Sequence, residues 1–521
     1  MRGRGRARRV ILPAVLAETT TPVAGDPVID PPRGPAVWPS ALEREPSTPA
    51  QQWFERGALA VLILIGVLGF FLFPTYPNYD SIYSLLWGRE ILDLATPTFD
   101  AFRAPTEHPL SNIVGAALSL FGTVGDRIWI ALCIASLIVL LVGLYRLGRD
   151  LFSPVVGALA SLLLASRLDF AFLAARGYID TAFLAFVVWA AVLEVAKPRR
   201  GLAPLILLGF AGLLRPEAWL LAGIYWLWCF GPATWPQRIG WGVLVWLPTL
   251  IWTGSDYAVM GEPLYSFTHT SGLAAELDRT KDLGELPVAL VSFLIDLDKL
   301  PVFIGGMLGA AIGLWLMPKR SLLPLLILTC GVGIFMLIGI GGFSVIDRYL
   351  LVAAVMVMLL CAVALGGWSV LPPGRARSLW MWGSAAALAV GAVFTATKLS
   401  LNNVTRELEF RGEARPALGD ALQDPRTEAA LERCGTLYLP NHKTIPDARW
   451  LTDLPADRVL ARTDVNVPDQ PTEGVLLITH QRRAIFNQVL FDELQDPSLN
   501  LPPAGFERLL TTKYYTVYAH C

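Results

Sequence analysis

Residues 76–93 read Y-P-N-Y-D-S-I-Y-S-L-L-W-G-R-E-I-L-D, and residues 103–110 read R-A-P-T-E-H-P-L. Together they bracket a polar loop, Tyr76–Leu110, that follows an apolar run at Gly57–Pro74. Asp80 lies a few residues past that run, and Glu107-His108-Pro109 brings the chain back to the next apolar stretch. Ionisable groups gathered at one membrane surface of a greasy chain mark a functional site. The loop is therefore read as the floor of an active site that the remaining spans hold in place.

Composition sets the solvent. The 521 residues are 54% hydrophobic and 16% charged, with a mean hydropathy of +0.51, whereas soluble chains run nearer a quarter charged. This is the signature of a polytopic α-helical membrane protein, and its 17 tryptophans suit interfacial belts. A net charge of −1 carries no indication of a nucleic-acid partner, and none is expected. The first ten residues hold five arginines and no acid. A signal peptide could be drawn over V-I-L-P-A-V-L-A, but Pro13 and the long Pro-rich polar stretch after it favour a disordered basic cytoplasmic tail over 1–52.

Spans need about 20 apolar residues, and basic loops belong on the cytoplasmic side. Gly57–Pro74 leads out; Leu110–Gly122 is short enough to be interfacial or re-entrant; Arg127–Leu147 returns to R-L-G-R-D. Pro154–Phe170 and Thr181–Ala196 form the next pair, returning to K-P-R-R-G. Leu202–Phe230 is interrupted by Arg215-Pro216-Glu217 and splits into two short spans with that triplet outside. Gly240–Trp252, Pro301–Met317, Leu322–Gly342, Leu350–Val370 and Leu379–Thr397 follow, with an external segment over Thr253–Leu300. The expectation is about eleven transmembrane helices over 53–398 in a plasma membrane, amino terminus inside and carboxy terminus outside.

Residues 399–521 are polar and Pro-rich, with strand-like runs T-L-Y-L, G-V-L-L-I-T and Y-Y-T-V-Y. A small extracytoplasmic α/β domain is expected there. Four of the six cysteines (Cys133, Cys229, Cys330, Cys361) fall in spans; Cys434 and Cys521 fall in this domain. A disulfide between them is favoured over two free thiols, since an exported domain permits it. No P-loop, Rossmann glycine pattern, H-E-x-x-H or Cys-based metal spacing is present, which argues against ATP-driven transport and most metallohydrolases.

Under this topology Asp80, Glu107, His108, Asp169, Arg176, Asp180, Arg215, Glu217, Asp347 and Arg348 converge on the outer face. Asp80 and Asp180 sit at span edges, where paired carboxylates can act as general bases or, with further oxygen ligands, hold a divalent cation. The plain alternatives are helix caps: Asp80 for an amphipathic helix on the bilayer, Asp180 for the span starting at Thr181. Glu107 and His108 could orient a phosphate or a carboxylate, or His108 could ligate metal. Arg215 and Arg348 are candidate anion binders, with ion pairs to Glu217 and Asp347 as the alternative; Glu107, His108, Arg176, Glu217 and Tyr349, at the same face, join them as candidate substrate- or donor-binding residues.

The pattern resembles the GT-C superfamily of integral-membrane glycosyltransferases, which use polyprenyl-phosphate-linked sugars and include protein O-mannosyltransferases and aminoarabinose and arabinofuranosyl transferases. The features that carry the resemblance are Asp80 after the first span, H-P-L closing the first loop, Asp180 after the third span, L-L-R-P-E-A-W-L-L, and D-R-Y-L-L-V. It covers roughly Gly57 to Val370. The resemblance implies that Asp80 activates the acceptor, Asp180 supports it as a second acid, His108 shapes the site and Arg348 holds the donor phosphate. It implies a polyprenyl-phosphate-linked sugar as donor, a glycan, lipid or protein acceptor, and membrane lipid as surroundings. Many members carry a second acid directly after the first Asp; here that position is Ser81. A divalent cation (Mg or Mn) held by Asp80, His108 and Asp180 thus stays an open question. The competing reading is a secondary transporter or lipid flippase, which would want charges near mid-bilayer and broken helices in two corresponding halves.

Overall fold

The computed structural model describes residues 38–39, 47–276, 279–398, 401–481, 484–485 and 497–521. Most of the expected basic tail, 1–52, therefore lies outside the described residues. Helix α1 (Pro49–Leu72) begins earlier than the expected first span because Thr48 caps it, accepting from the Gln51 amide, and Pro49 takes the first helical position. None of its residues is buried, so its apolar surface faces lipid.

Two helices flank the polar loop, α2 (Tyr79–Leu92) and α3 (Pro109–Ser119). There follow α4 (Gly125–Leu151), α5 (Pro154–Ala165), α6 (Leu168–Ala175), α7 (Asp180–Ala196), α8 (Leu202–Leu214), α9 (Glu217–Phe230) and α10 (Trp235–Met260). After these come α11 (Tyr265–Glu276), α12 (Leu286–Asp298), α13 (Leu300–Leu316), α14 (Pro318–Ile340), α15 (Leu351–Gly366) and α16 (Arg375–Lys398). Among the described residues five helical stretches are long and apolar enough to cross a membrane, or six if the bent α5–α6 pair counts as one span. That makes an integral membrane protein, but it falls short of the eleven full spans expected. Several apolar helices end early: α8, α9 and α13 have 13, 14 and 17 residues, roughly 20–26 Å of helix against a hydrocarbon core of about 30 Å. Pro216 stops α8, Pro318 follows α13, and α5 and α6 meet at 64°. The segment expected to be an external stretch, Thr253–Leu300, is largely helical, being the end of α10 followed by α11 and α12.

The sequence pattern suggested that α2 lies on the bilayer. Instead Ser81–Gly88 are buried, because α2 crosses α3 with backbones touching. A Cβ on Gly88 would come 2.2 Å from the Ala116 nitrogen, and one on Gly115 would come 2.2 Å from the Ser84 carbonyl. Only glycine admits that approach. At the centre of the bundle, α15 is buried along Leu351–Val363, as a helix apolar on every face must be.

The carboxy-terminal residues form α17 (Leu401–Leu422), α18 (Pro425–Cys434), α19 (Ile445–Thr452) and five strands. The strands are β1 (Leu437–Leu439), β2 (Val459–Ala461), β3 (Gly474–Thr479), β4 (Glu507–Thr511) and β5 (Tyr515–His520), in the order β2-β1-β3-β5-β4. β1 runs parallel to β2 and β3, and β5 antiparallel to β3 and β4. The helices and sheet share a core of their own, including Leu418, Leu437, Val475 and Val517. Cys434 and Cys521 are joined as a disulfide. This unit is docked on the bundle. Arg449 donates to Glu90 at 2.6 Å and Arg415 to Asp126 at 2.8 Å, while Trp450 is buried in the bundle's core.

Candidate active site

A cavity of about 950 Å³ opens between the polar loop, the helix breaks and the docked unit. Its floor is a charge cluster assembled from three breaks in the helical bundle. Asp180 is the first residue of α7 and is fully buried. Arg215 sits where Pro216 ends α8, and Arg348 lies in the short 3-10 turn Asp347–Leu350 before α15. Arg348 donates to Asp180 Oδ2 at 2.9 Å and to Asp80 Oδ2 at 3.4 Å. Arg215 donates to Asp180 Oδ1 and, at 3.1 Å, to Glu217 Oε1. Two guanidiniums are thus fixed by one sequestered carboxylate, each with a second acid beside it.

The candidates read from sequence divide accordingly. Asp80, His108, Arg176, Arg215, Glu217, Arg348 and Tyr349 all line the cavity. Asp180 and Glu107 do not: they stand behind its wall. Asp80 is not the cap of α2; Asn78 is, accepting from the Ser81 amide at 2.9 Å, which leaves Asp80 in the first turn with its carboxylate toward Arg348. Asp180 accepts no capping role either, since the N-cap of α7 is Ile179 without a side-chain bond. Arg348 pairs across the bundle with Asp180 and Asp80 rather than with its neighbour Asp347. The ion pair weighed as the alternative for Arg215, with Glu217, does form, and Asp180 joins it.

The candidate cation set Asp80, His108 and Asp180 is bridged by Arg348, whose fixed positive charge lies between the two carboxylates. No grouping of three or more His, Cys, Asp or Glu side chains suited to a metal occurs among the described residues.

His108 precedes Pro109 at the head of α3 and presents its ring edge-on to Trp252, centroids 5.6 Å apart. Burial, with Arg215 and Arg348 nearby, lowers its pKa to about 3, so the imidazole is neutral at physiological pH. Glu107 is buried and accepts from Asn112 at 2.7 Å. Burial, then the Asp256 carboxylate, raises its pKa to about 8, so it holds a proton at neutral pH.

Tyrosine faces accompany the arginines. Arg348 lies 4.6 Å from the Tyr178 centroid, Arg176 lies 5.9 Å from Tyr178 and 5.6 Å from Tyr76, and Arg215 lies 5.9 Å from Tyr349. One wall is apolar, with Leu220 of α9 and Ile334, Leu337 and Ile338 of α14. The roof comes from the carboxy-terminal unit: Phe410, Arg415, His442, Lys443, Asp447 and Tyr515. Sequence reasoning assigned none of these roof residues, nor Tyr76, Tyr178 and Trp252. The two tyrosines stand beside acidic and basic candidates in the chain, which is a signal of sorts; the roof left no local signal.

No family model and no curated protein sequence matches the chain. Among solved structures, ArnT from Cupriavidus metallidurans bound to undecaprenyl phosphate superposes with a TM-score of 0.54 at 13% identity, over 89% of this chain and 98% of that one. Its apo state superposes with the same values. The apo oligosaccharyltransferase of Archaeoglobus fulgidus gives a TM-score of 0.45 at 11% identity, over 79% of this chain and 65% of that one. The likeness to ArnT is one of fold. The chain shares the fold of ArnT along nearly its whole length.

Proposed function

We propose that this protein is a glycosyltransferase that moves a sugar from a polyprenyl-phosphate carrier to an acceptor hydroxyl at the extracytoplasmic membrane face. The observation that carries the reading is Arg348: a guanidinium on the cavity wall, held by Asp180 and Asp80, in a cavity with an apolar wall on α9 and α14. That pairing suits an isoprenoid phosphate, whose head is an oxyanion and whose tail is hydrocarbon. ArnT, which shares the fold, has been captured with undecaprenyl phosphate.

In this reading the acceptor oxygen attacks the anomeric carbon and the bond from that carbon to the phosphate oxygen breaks. The acceptor proton passes to Asp80. Only one oxygen of Asp80 meets Arg348, and the other makes no hydrogen bond among the described residues. The polyprenyl phosphate leaves with the bonding electron pair, and Arg348 with Arg215 stabilises its charge. Asp180 is a positioning residue: with no exposure and both oxygens committed to arginine, it orients the two guanidiniums. His108 shapes the pocket as a neutral ring. The topology proposed with this chemistry puts the amino terminus in the cytoplasm and residues 399–521 outside. The sugar moved in this reading is a hexosyl or pentosyl unit.

The test is binding of undecaprenyl phosphate to the purified full-length protein in detergent. Wild type and Asp80→Asn should bind, Arg348→Ala should not, and Asp80→Asn should be the variant that fails in transfer. Failure of wild type to bind would remove the donor and bring transport assays forward.

A further inference from the structure

The charge balance of the cavity does not close at its floor. Seven basic side chains line it against three acidic ones, Asp80, Glu217 and Asp447. Arg215 and Arg348 are matched by Asp180, Asp80 and Glu217. Arg415 is matched by Asp126 and Asp447, and Arg103 by Glu276. Arg279, between α11 and α12, and Lys443 of the docked unit complete the seven, and of the other five Arg176 is different. Among the described residues its side chain makes no ion pair or hydrogen bond: the carboxylate that feels its charge, Asp447, is held by Arg415, its own Nε is buried without an acceptor, and its ring contacts are Tyr76 and Tyr178.

Those two rings link it in both directions. Tyr178 also carries Arg348, and Tyr76 also carries Arg415 at 6.0 Å. Arg348, Tyr178, Arg176, Tyr76 and Arg415 thus alternate as a ladder from the floor to α17 of the docked unit. At its upper end Arg415, although paired, keeps Nη2 buried without an acceptor. Lys443 of the same unit lines the cavity too. Buried guanidinium N–H groups left without an acceptor are costly, and planar forks are matched by carboxylate or phosphate oxygens.

We propose that the Arg176–Arg415 end of the cavity is a second anion-binding subsite, which holds the acceptor through a phosphate or carboxylate group. This rests on the transferase reading above. The donor has one phosphate, bonded to the anomeric carbon, and that phosphate belongs at Arg348 and Arg215. An anion at the far side of the Tyr178 ring is a different group. The subsite is built from the α6–α7 turn and the docked unit, whereas the apolar wall that suits an isoprenoid belongs to α9 and α14. The docked unit thereby completes the acceptor site rather than only covering it.

The experiment uses the full-length protein in detergent, with undecaprenyl phosphate and inorganic phosphate as probes and isothermal titration as readout. Wild type saturated with undecaprenyl phosphate should still take up inorganic phosphate. Arg176→Gln should weaken that phosphate about tenfold or more and leave the affinity for undecaprenyl phosphate within about twofold of wild type. Arg176→Lys, which keeps the charge and loses the fork, should fall between, and it serves in place of Arg176→Gln if the latter elutes as aggregate. Lipid-loaded wild type that takes up no phosphate overturns the proposal. So does an Arg176 variant that weakens lipid and phosphate equally, because the group would then belong to the donor, as the second phosphate of a diphosphate carrier would. If wild type binds no undecaprenyl phosphate, the transferase reading falls by itself. Phosphate titration of the unloaded protein then decides the subsite: dependence on Arg176 keeps it, and no dependence removes it.

Discussion

Replacing Asp180 by Asn removes one charge and almost no volume, and it separates two roles that the sequence could not distinguish. In the structure this carboxylate is fully buried and is shared by Arg215 and Arg348, whose side chains are 7% and 25% exposed. Removing one partner of a buried ion pair costs about 3–5 kcal/mol, because the remaining charge is left uncompensated. Here each arginine keeps a second acid, Glu217 at 3.1 Å and Asp80 at 3.4 Å. The loss should therefore lie near the lower end, about 3 kcal/mol. The same change makes the floor of the cavity more positive by one charge. Across one guanidinium, roughly 7 Å, a full charge is still worth about 2 kcal/mol at an effective dielectric of about 20, so an anion at the floor should bind about tenfold tighter in Asp180→Asn than in wild type. The assay is thermal melting of the full-length protein in detergent, with and without undecaprenyl phosphate. The variant should melt lower than wild type without lipid and gain more from the lipid than wild type does. Equal melting of variant and wild type, with transfer alone impaired, would refute the positioning role and return Asp180 to acid–base chemistry.

Two other outcomes follow from the geometry. The Glu107 carboxyl has a pKa of about 8 in the folded chain against an ordinary 4.5, so between those values the folded state keeps a proton that the unfolded state has released. Stability should fall as pH rises through that window and level off above it, and Glu107→Gln should flatten the dependence in melting curves taken from pH 5 to 9. Glu90→Gln weakens the 2.6 Å contact to Arg449, whose side chain is 3% exposed. It should loosen the docked unit, at a cost of about 3 kcal/mol, read as faster hydrogen exchange of α19 in Glu90→Gln than in wild type while the amides of α15 keep their protection.

Much of the site could be read along the chain because membrane burial penalises charge locally. Asp80, His108, Arg215 and Arg348 were conspicuous since each interrupts or borders an apolar run, and all four line the cavity. The R-P-E triplet announced a helix break because Pro216 cannot continue α8 and a charged pair is costly in hydrocarbon. Span counting was less secure. Hydropathy measures apolar length in sequence, whereas the 64° bend between α5 and α6 and the early end of α8 are set by packing.

What the sequence determined by itself is the solvent, the mainly helical bundle, and the concentration of ionisable groups at breaks between helices, since those depend on nearest neighbours along the chain. Tertiary structure alone decided which charges meet. Asp180 and Arg348 are 168 residues apart and Arg415 and Asp126 are 289 apart, and no local pattern encodes such pairings. It also decided that Asp180 stands behind the cavity while Asp80 faces it, and that the carboxy-terminal unit forms a roof. Those outcomes follow from how buried charges must find partners once the helices have packed, which is a property of the assembled bundle.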